Sequence, residues 1–175
     1  MITLTPLAGG ARDLGSSPLA YLLQVDDVRI LLDCGSPDWS LEDSDQHWDA
    51  YCNALQAVAP TIDLVLLSHG DLPHAGLFPF AHAHWKLSAP VYTTLPVQAM
   101  ARIAVVEEAE DMRAEEDVDT YEDLPKEEDA LPDAPPPRVR IGKRIPTVNE
   151  VHSAFDAVTT LRYSQPTHLS GQPFR

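Results

Sequence analysis

Ile62-Asp-Leu-Val-Leu-Leu67-Ser-His69-Gly-Asp71-Leu-Pro73-His74-Ala-Gly76 joins an apolar run of strand length to a loop crowded with polar side chains. Residues 62–67 are apolar but for Asp63, which suits a strand buried on both faces; a strand with one wet face alternates instead. The run stops at Ser68, and His69, Asp71, Pro73 and His74 follow before a short helix predicted over 75–85. A buried strand that hands the chain to such a loop brings several polar side chains to one place. The fold therefore has to supply a sheet beneath them.

Upstream, residues 2–7, 19–25 and 28–33 are rich in branched and aliphatic side chains and are separated by turn formers, so they predict strands. The two-residue connection Asp26-Asp27 predicts an antiparallel hairpin between the second and third, ending at Asp33. Over 45–60, Trp48, Tyr51, Cys52, Leu55 and Val58 recur at helical spacing, with Ser44 or Asp45 as a cap and Pro60 as a stop. Downstream, 91–93 predicts a strand, and a longer helix begins near Leu95 with Pro96 in its first turn. Alternating strands and helices favour an α/β protein of packed layers over a sandwich of strands alone or a helical bundle.

Acidity is local. Of a formal charge of −15, the stretch 107–129 carries 13 acidic and 2 basic residues, which leaves −4 for the rest. It continues into Leu131-Pro-Asp-Ala-Pro-Pro-Pro137, and with few large apolar residues it offers little burial against the entropy of ordering. The expected organisation is an ordered unit over 1–113, a disordered acidic and proline-rich insert over 114–145, and a return to order over 146–175. Thr147-Val-Asn-Glu150 fits a capping box, and Val151, Phe155, Val158 and Leu161 continue at helical spacing. A chain this acidic does not grip a phosphate backbone by itself. The cluster Arg138, Arg140, Lys143 and Arg144 is a weak candidate for RNA contact beside so many carboxylates.

Cys34 and Cys52 are too few for a disulfide framework and predict reduced, partly buried thiols. No apolar run approaches the roughly 20 residues that cross a bilayer, and the N-terminus lacks the pattern of a secretory leader, so no membrane partner is expected.

Two-metal hydrolases of the metallo-β-lactamase class carry His-x-His-x-Asp-His at the loop quoted above, where neighbouring side chains bind two metals and position a bridging water. In that register this chain reads His69, Asp71, Pro73, His74. Asp71 in place of the middle His is a change that zinc tolerates, because a carboxylate oxygen still binds it. Pro73 is not, since it has no side-chain donor, acceptor or charge with which to ligate a metal or orient water. The surviving histidines are expected to hold the loop shape through hydrogen bonds. Asp33 either supports the loop from beneath or caps the turn that follows it. His82 and His84, two apart on a predicted helix, face different directions and do not form a metal pair. No catalytic, cofactor-binding or metal-ligating residue is assigned; Asp33, His69, Asp71 and His74 are vestigial motif positions.

Tyr21-Leu-Leu-Gln-Val-Asp, Ile30-Leu-Leu-Asp-Cys-Gly, Asp63-Leu-Val-Leu-Leu-Ser-His and Leu-Pro-His74-Ala-Gly together resemble the subunit 2 family of the cleavage and polyadenylation specificity factor. That family lies in the β-CASP branch of the metallo-β-lactamase superfamily. The resemblance continues through Val91-Tyr-Thr-Thr-Leu-Pro-Val97, residues 148–157 and Leu161-Arg-Tyr-Ser-Gln165. It implies a partial metallo-β-lactamase-like αββα sandwich and a non-catalytic scaffold subunit in the nucleus. The implied partners are the related endonuclease subunit and a symplekin-like scaffold, with pre-mRNA met through the complex. The acidic stretch is longer than the family carries here. The family pattern also continues beyond Arg175, so a fragment of poor stability on its own is expected. The competing reading is a zinc-dependent RNA or phosphodiester hydrolase with an altered ligand set; a metabolic hydrolase of the same fold is weaker, because the matches outside the loop lie elsewhere.

Overall fold

A computed structural model describes residues 1–8, 18–37, 45–122, 144–164 and 166. The strands are β1 (Ile2–Ala8), β2 (Ala20–Val25), β3 (Val28–Leu32), β4 (Leu64–Leu66), β5 (Val91–Thr94) and β6 (Thr159–Leu161). They form one mixed sheet in sequence order, β1 to β6. The β1–β2 and β2–β3 pairs are antiparallel, and β3–β4, β4–β5 and β5–β6 are parallel. The predicted hairpin is present with Val25 opposite Val28, and Asp26 takes the left-handed conformation (φ 52°) that so tight a turn requires. The helices are α1 (Asp45–Val58), α2 (Leu72–Ala75), α3 (Phe78–His84), α4 (Leu95–Glu122) and α5 (Val148–Asp156), with a single 3₁₀ turn at Ala59–Thr61.

Strand periodicity and register sort the sheet's side chains into two faces. Leu22, Leu31, Val65 and Val91 lie in one row across β2 to β5 and join the main core. Onto that face pack Tyr51, Cys52 and Leu55 of α1, Phe78 and Ala81 of α3, Ala101 and Val105 of α4, and Val151, Ala154 and Phe155 of α5. Phe78 and Phe155 meet edge to face at 5.5 Å, fastening α3 to α5. The opposite row, Leu23, Ile30 and Leu64, gathers a second cluster with Val28, Leu32 and Tyr92. An apolar character on both faces is what a layered α/β arrangement asks of its sheet. Asp63, the polar interruption in the apolar run, accepts from the Arg29 amide at 2.8 Å while its own amide donates to the Arg29 carbonyl, so it aligns the start of β4 with β3.

Several expectations need correction. β4 is shorter than 62–67, and Leu66 is 36% exposed, so burial on both faces holds for Leu64 and Val65 but not for the whole run. In place of one helix over 75–85 there are two, α2 starting at Leu72 behind its cap Asp71 and α3 over Phe78–His84. α5 begins at the predicted capping box but ends at Asp156. Val158 and Leu161 then belong to an extended segment, in which Thr159 pairs with Tyr92. α4 runs to Glu122, beyond the expected boundary at residue 113; glutamate, alanine and arginine favour helix even where little apolar surface is available. Residues 123–143, with Arg138, Arg140 and Lys143, lie outside the described residues. Arg144 is engaged within the fold: it donates to Asp49 at 2.9 Å and lies over the Trp85 ring. Cys34 and Cys52 are fully buried, not partly so.

Candidate functional site

The loop between β4 and α2 rests on the loop that follows β3. Asp33 has a left-handed backbone (φ 59°), is 8% exposed, and donates its amide to the Leu66 carbonyl, which prolongs the β3–β4 pairing by one step. Its carboxylate accepts from the Ser68 amide at 2.7 Å and the Ser68 hydroxyl at 2.8 Å. Of the two roles open to Asp33, supporting the loop is the one the geometry fits.

Ser68 was not singled out in the sequence, yet it connects two of the motif positions. Its hydroxyl has one proton, which goes to Asp33, so toward His69 it presents a lone pair. His69 Nδ1, 2.8 Å away, must then carry the proton and donate. His74 is tied in the same way by a different group: its Nδ1 lies 2.5 Å from Asp71 Oδ1. The two imidazoles sit side by side, centroids 4.3 Å apart. Each has its Nδ1 committed to a neighbour, which leaves Nε2 as the ring nitrogen without a partner among the contacts described.

Asp71 is the helix cap of α2. Its side chain accepts from the His74 amide at 3.1 Å as well as from the His74 ring, at the N-cap of α2. Pro73 occupies the second position of α2, where a backbone N–H would have no helical acceptor, so proline costs the helix nothing there. Its carbonyl accepts from the Leu19 amide at 2.8 Å. Further backbone bonds close the contact: Cys34 to His74 at 2.8 Å, Ser36 to Leu72 at 2.9 Å, and Leu77 to Cys34 at 3.0 Å. Gly35 makes this approach possible, since a Cβ there would lie 1.6 Å from the Pro73 carbonyl oxygen.

Beneath this contact the Tyr51 hydroxyl donates to the Gly35 carbonyl at 3.0 Å. Burial, with Cys34 and Cys52 nearby, raises the Tyr51 phenol well above its ordinary value. Burial likewise pushes the Cys34 thiol far up and the Cys52 thiol to about 12, the latter against the pull of Arg144. Both thiols are therefore neutral, and neither is an activated nucleophile.

The donors present do not fit a pair of zinc ions. Each tetrahedral zinc takes at least three protein donors, whereas for two ions this loop offers two imidazole nitrogens and one carboxylate, Asp71, with Asp33 engaged through both oxygens by Ser68. Among the described residues no group of three or more His, Cys, Asp or Glu is placed to hold a metal ion. His82 packs on Phe78 and His84 on Phe80 along α3, and His84 also pairs with Glu150 of α5 at 3.0 Å. No described helix is long and apolar enough to cross a membrane.

The metallo-beta-lactamase superfamily domain matches residues 22–173. Cleavage and polyadenylation specificity factor subunit 2 of Oryza sativa subsp. japonica is 36% identical over 96% of this chain and 18% of its own length. The Arabidopsis thaliana protein of that name is 32% identical over 98% of this chain and 18% of its own. The chain thus spans under a fifth of these relatives. Among solved structures, the short form of human tRNase Z aligns with 58% of this chain and 38% of its own at 18% identity and a TM-score of 0.39.

Proposed function

Because this chain belongs to the metallo-β-lactamase superfamily, with subunit 2 of the cleavage and polyadenylation specificity factor among its relatives, we propose that it is a non-catalytic structural subunit of the machinery that cleaves and polyadenylates pre-mRNA in the nucleus. In this reading it pairs with a related endonuclease subunit and a symplekin-like scaffold, and meets pre-mRNA through them. The observation that carries the non-catalytic part is local. Where a two-metal hydrolase needs a ligand and a water-orienting carboxylate, Pro73 continues a helix, and the neighbouring Asp71 is spent on capping it. The motif has been converted from ligand display to backbone packing.

One observation favours the alternative, a zinc-dependent RNA or phosphodiester hydrolase with an altered ligand set. A carboxylate on the Nδ1–H of an imidazole is how proteins commonly orient a metal-binding histidine, and Asp71 stands in that relation to His74. Elemental analysis of the purified protein after incubation with Zn²⁺, together with RNA cleavage measured with and without it, decides between the two. We expect less than one zinc per chain and no metal-dependent cleavage. Two zincs and cleavage abolished by chelation overturn the proposal. The partner assignment is tested separately by co-purification with the endonuclease subunit.

A further inference from the structure

The outer surface of α4 is used by nothing described so far. Ala101, Val105, Ala109 and Met112 form its buried stripe, spaced as a helix packed on the core requires. On the side turned away, Leu95 is 63% exposed, Met100 64% and Ile103 58%. With Pro96 and Ala99, also exposed, they cover an arc of roughly 140° over the first turns of the helix. Three large aliphatic side chains so close together and so open form a patch of the kind that marks an interaction site. The patch adjoins the motif loop, since a Cβ on Gly70 would lie 2.7 Å from Met100 Cβ and 2.9 Å from the Val97 carbonyl oxygen.

Farther along, the same surface changes character. Glu107, Glu110 and Asp111 are exposed on that side of α4, at the start of a stretch whose net charge is −11 between residues 107 and 129. A ligand lying along the helix would therefore cross an aliphatic stretch and then a carboxylate stretch. Nucleic acid and anionic membrane are disfavoured, because their phosphates would face these carboxylates. A second copy is disfavoured by like charge, at −15 per chain.

We infer that the outer face of α4 is a docking surface for a basic amphipathic segment of a partner protein, its aliphatic or aromatic anchors seated on Leu95, Met100 and Ile103 and its following Lys and Arg residues facing Glu107, Glu110 and Asp111. This rests on the helix surface alone and holds whether or not the motif loop is catalytically silent.

The test is selection of a random 16-residue peptide library displayed on phage against the folded chain, followed by titration of the enriched peptides by fluorescence anisotropy. The expected consensus has apolar residues three and four apart followed by at least two Lys or Arg. Met100→Glu or Ile103→Glu, exposed positions whose folding is checked by circular dichroism, weakens binding about tenfold or more. The triple variant Glu107→Gln, Glu110→Gln, Asp111→Asn removes the preference for basic peptides over their neutral analogues. No enrichment, peptides without basic residues, or binding indifferent to Met100→Glu and Ile103→Glu each overturn the inference. So does sedimentation showing a dimer that Ile103→Glu disperses, which would assign the face to a second copy. Zinc-dependent cleavage by the same protein would overturn the proposed function and leave this result standing.

Discussion

Gly35→Ala tests the backbone contact between the loop after β3 and α2. A methyl at that position would lie 1.6 Å from the Pro73 carbonyl oxygen, 2.3 Å from the Pro73 carbonyl carbon and 3.0 Å from the Leu19 amide nitrogen, all backbone atoms that no rotamer change can move. The loop after β3 must therefore lift away from α2. Lifting threatens the bonds from Leu19 to Pro73, Cys34 to His74 and Leu77 to Cys34. If two of these are lost at about 1 kcal/mol each, and overpacking adds about 1–3 kcal/mol, the variant is destabilised by roughly 3–5 kcal/mol. That is a large part of the 5–15 kcal/mol typical of a domain. Urea unfolding followed by tryptophan fluorescence measures it, with Asn53→Ala on the exposed side of α1 as a control expected to change little. Amide exchange at Leu19, Cys34, Ser36 and Leu77 gives a second reading that does not depend on global stability, and these amides should exchange faster. A Gly35→Ala protein within 0.5 kcal/mol of the parent and with unchanged exchange would refute the reasoning.

Three further outcomes are expected. Ser68→Ala removes the hydroxyl that fixes His69 as the Nδ1–H tautomer, so long-range ¹H–¹⁵N spectra should show His69 shifting toward Nε2–H while His74, held by Asp71, does not change. Burial tends to raise the Glu150 carboxyl, but hydrogen bonds from Thr147 and the neighbouring His84 outweigh it and lower the pKa below the ordinary glutamate value. The stability it contributes is therefore present above that ordinary value and lost as pH falls through the lower folded one; the acid limb of a melting-temperature profile between pH 6 and 3 should be shallower in Glu150→Gln. Cys34 and Cys52, buried and held protonated, should resist a thiol reagent at pH 8 until denaturant is added, and prompt labelling of either would contradict the packing.

Where local pattern and tertiary need agreed, the sequence was readable. Asp26-Asp27 between two aliphatic runs could hardly be anything but a hairpin turn, and Thr147 with Glu150 announces its own capping box. The misreadings fall where a distant partner decides. Val158 and Leu161 continue the helical period of Val151 and Phe155, but the free edge of β5 draws Thr159 and Thr160 into a strand, and periodicity carries no information about an edge 67 residues back. The start of α2 is visible in Asp71-Leu-Pro73, a capping residue with proline in the first turn, and is obscured when Asp71 is read only as a vestigial motif position. Ser68 and Gly35 were beyond reach for another reason. Their roles, as a link between Asp33 and His69 and as clearance for the Pro73 carbonyl, exist only after two loops have met.

Strand order that equals sequence order has a consequence for how the molecule is made. Among the described strands, from β3 onward each adds beside the one synthesised just before it, so this sheet lengthens at a single margin. A chain emerging from the ribosome exposes β1 to β5 before the acidic stretch that follows them. That stretch falls inside one connection, between β5 and β6. The cost of closing such a connection grows only logarithmically, about 0.6 kcal/mol for each doubling of its flexible length. Only the attachment of β6 is delayed, and the number of carboxylates carried there is free to drift without disturbing β1 to β5.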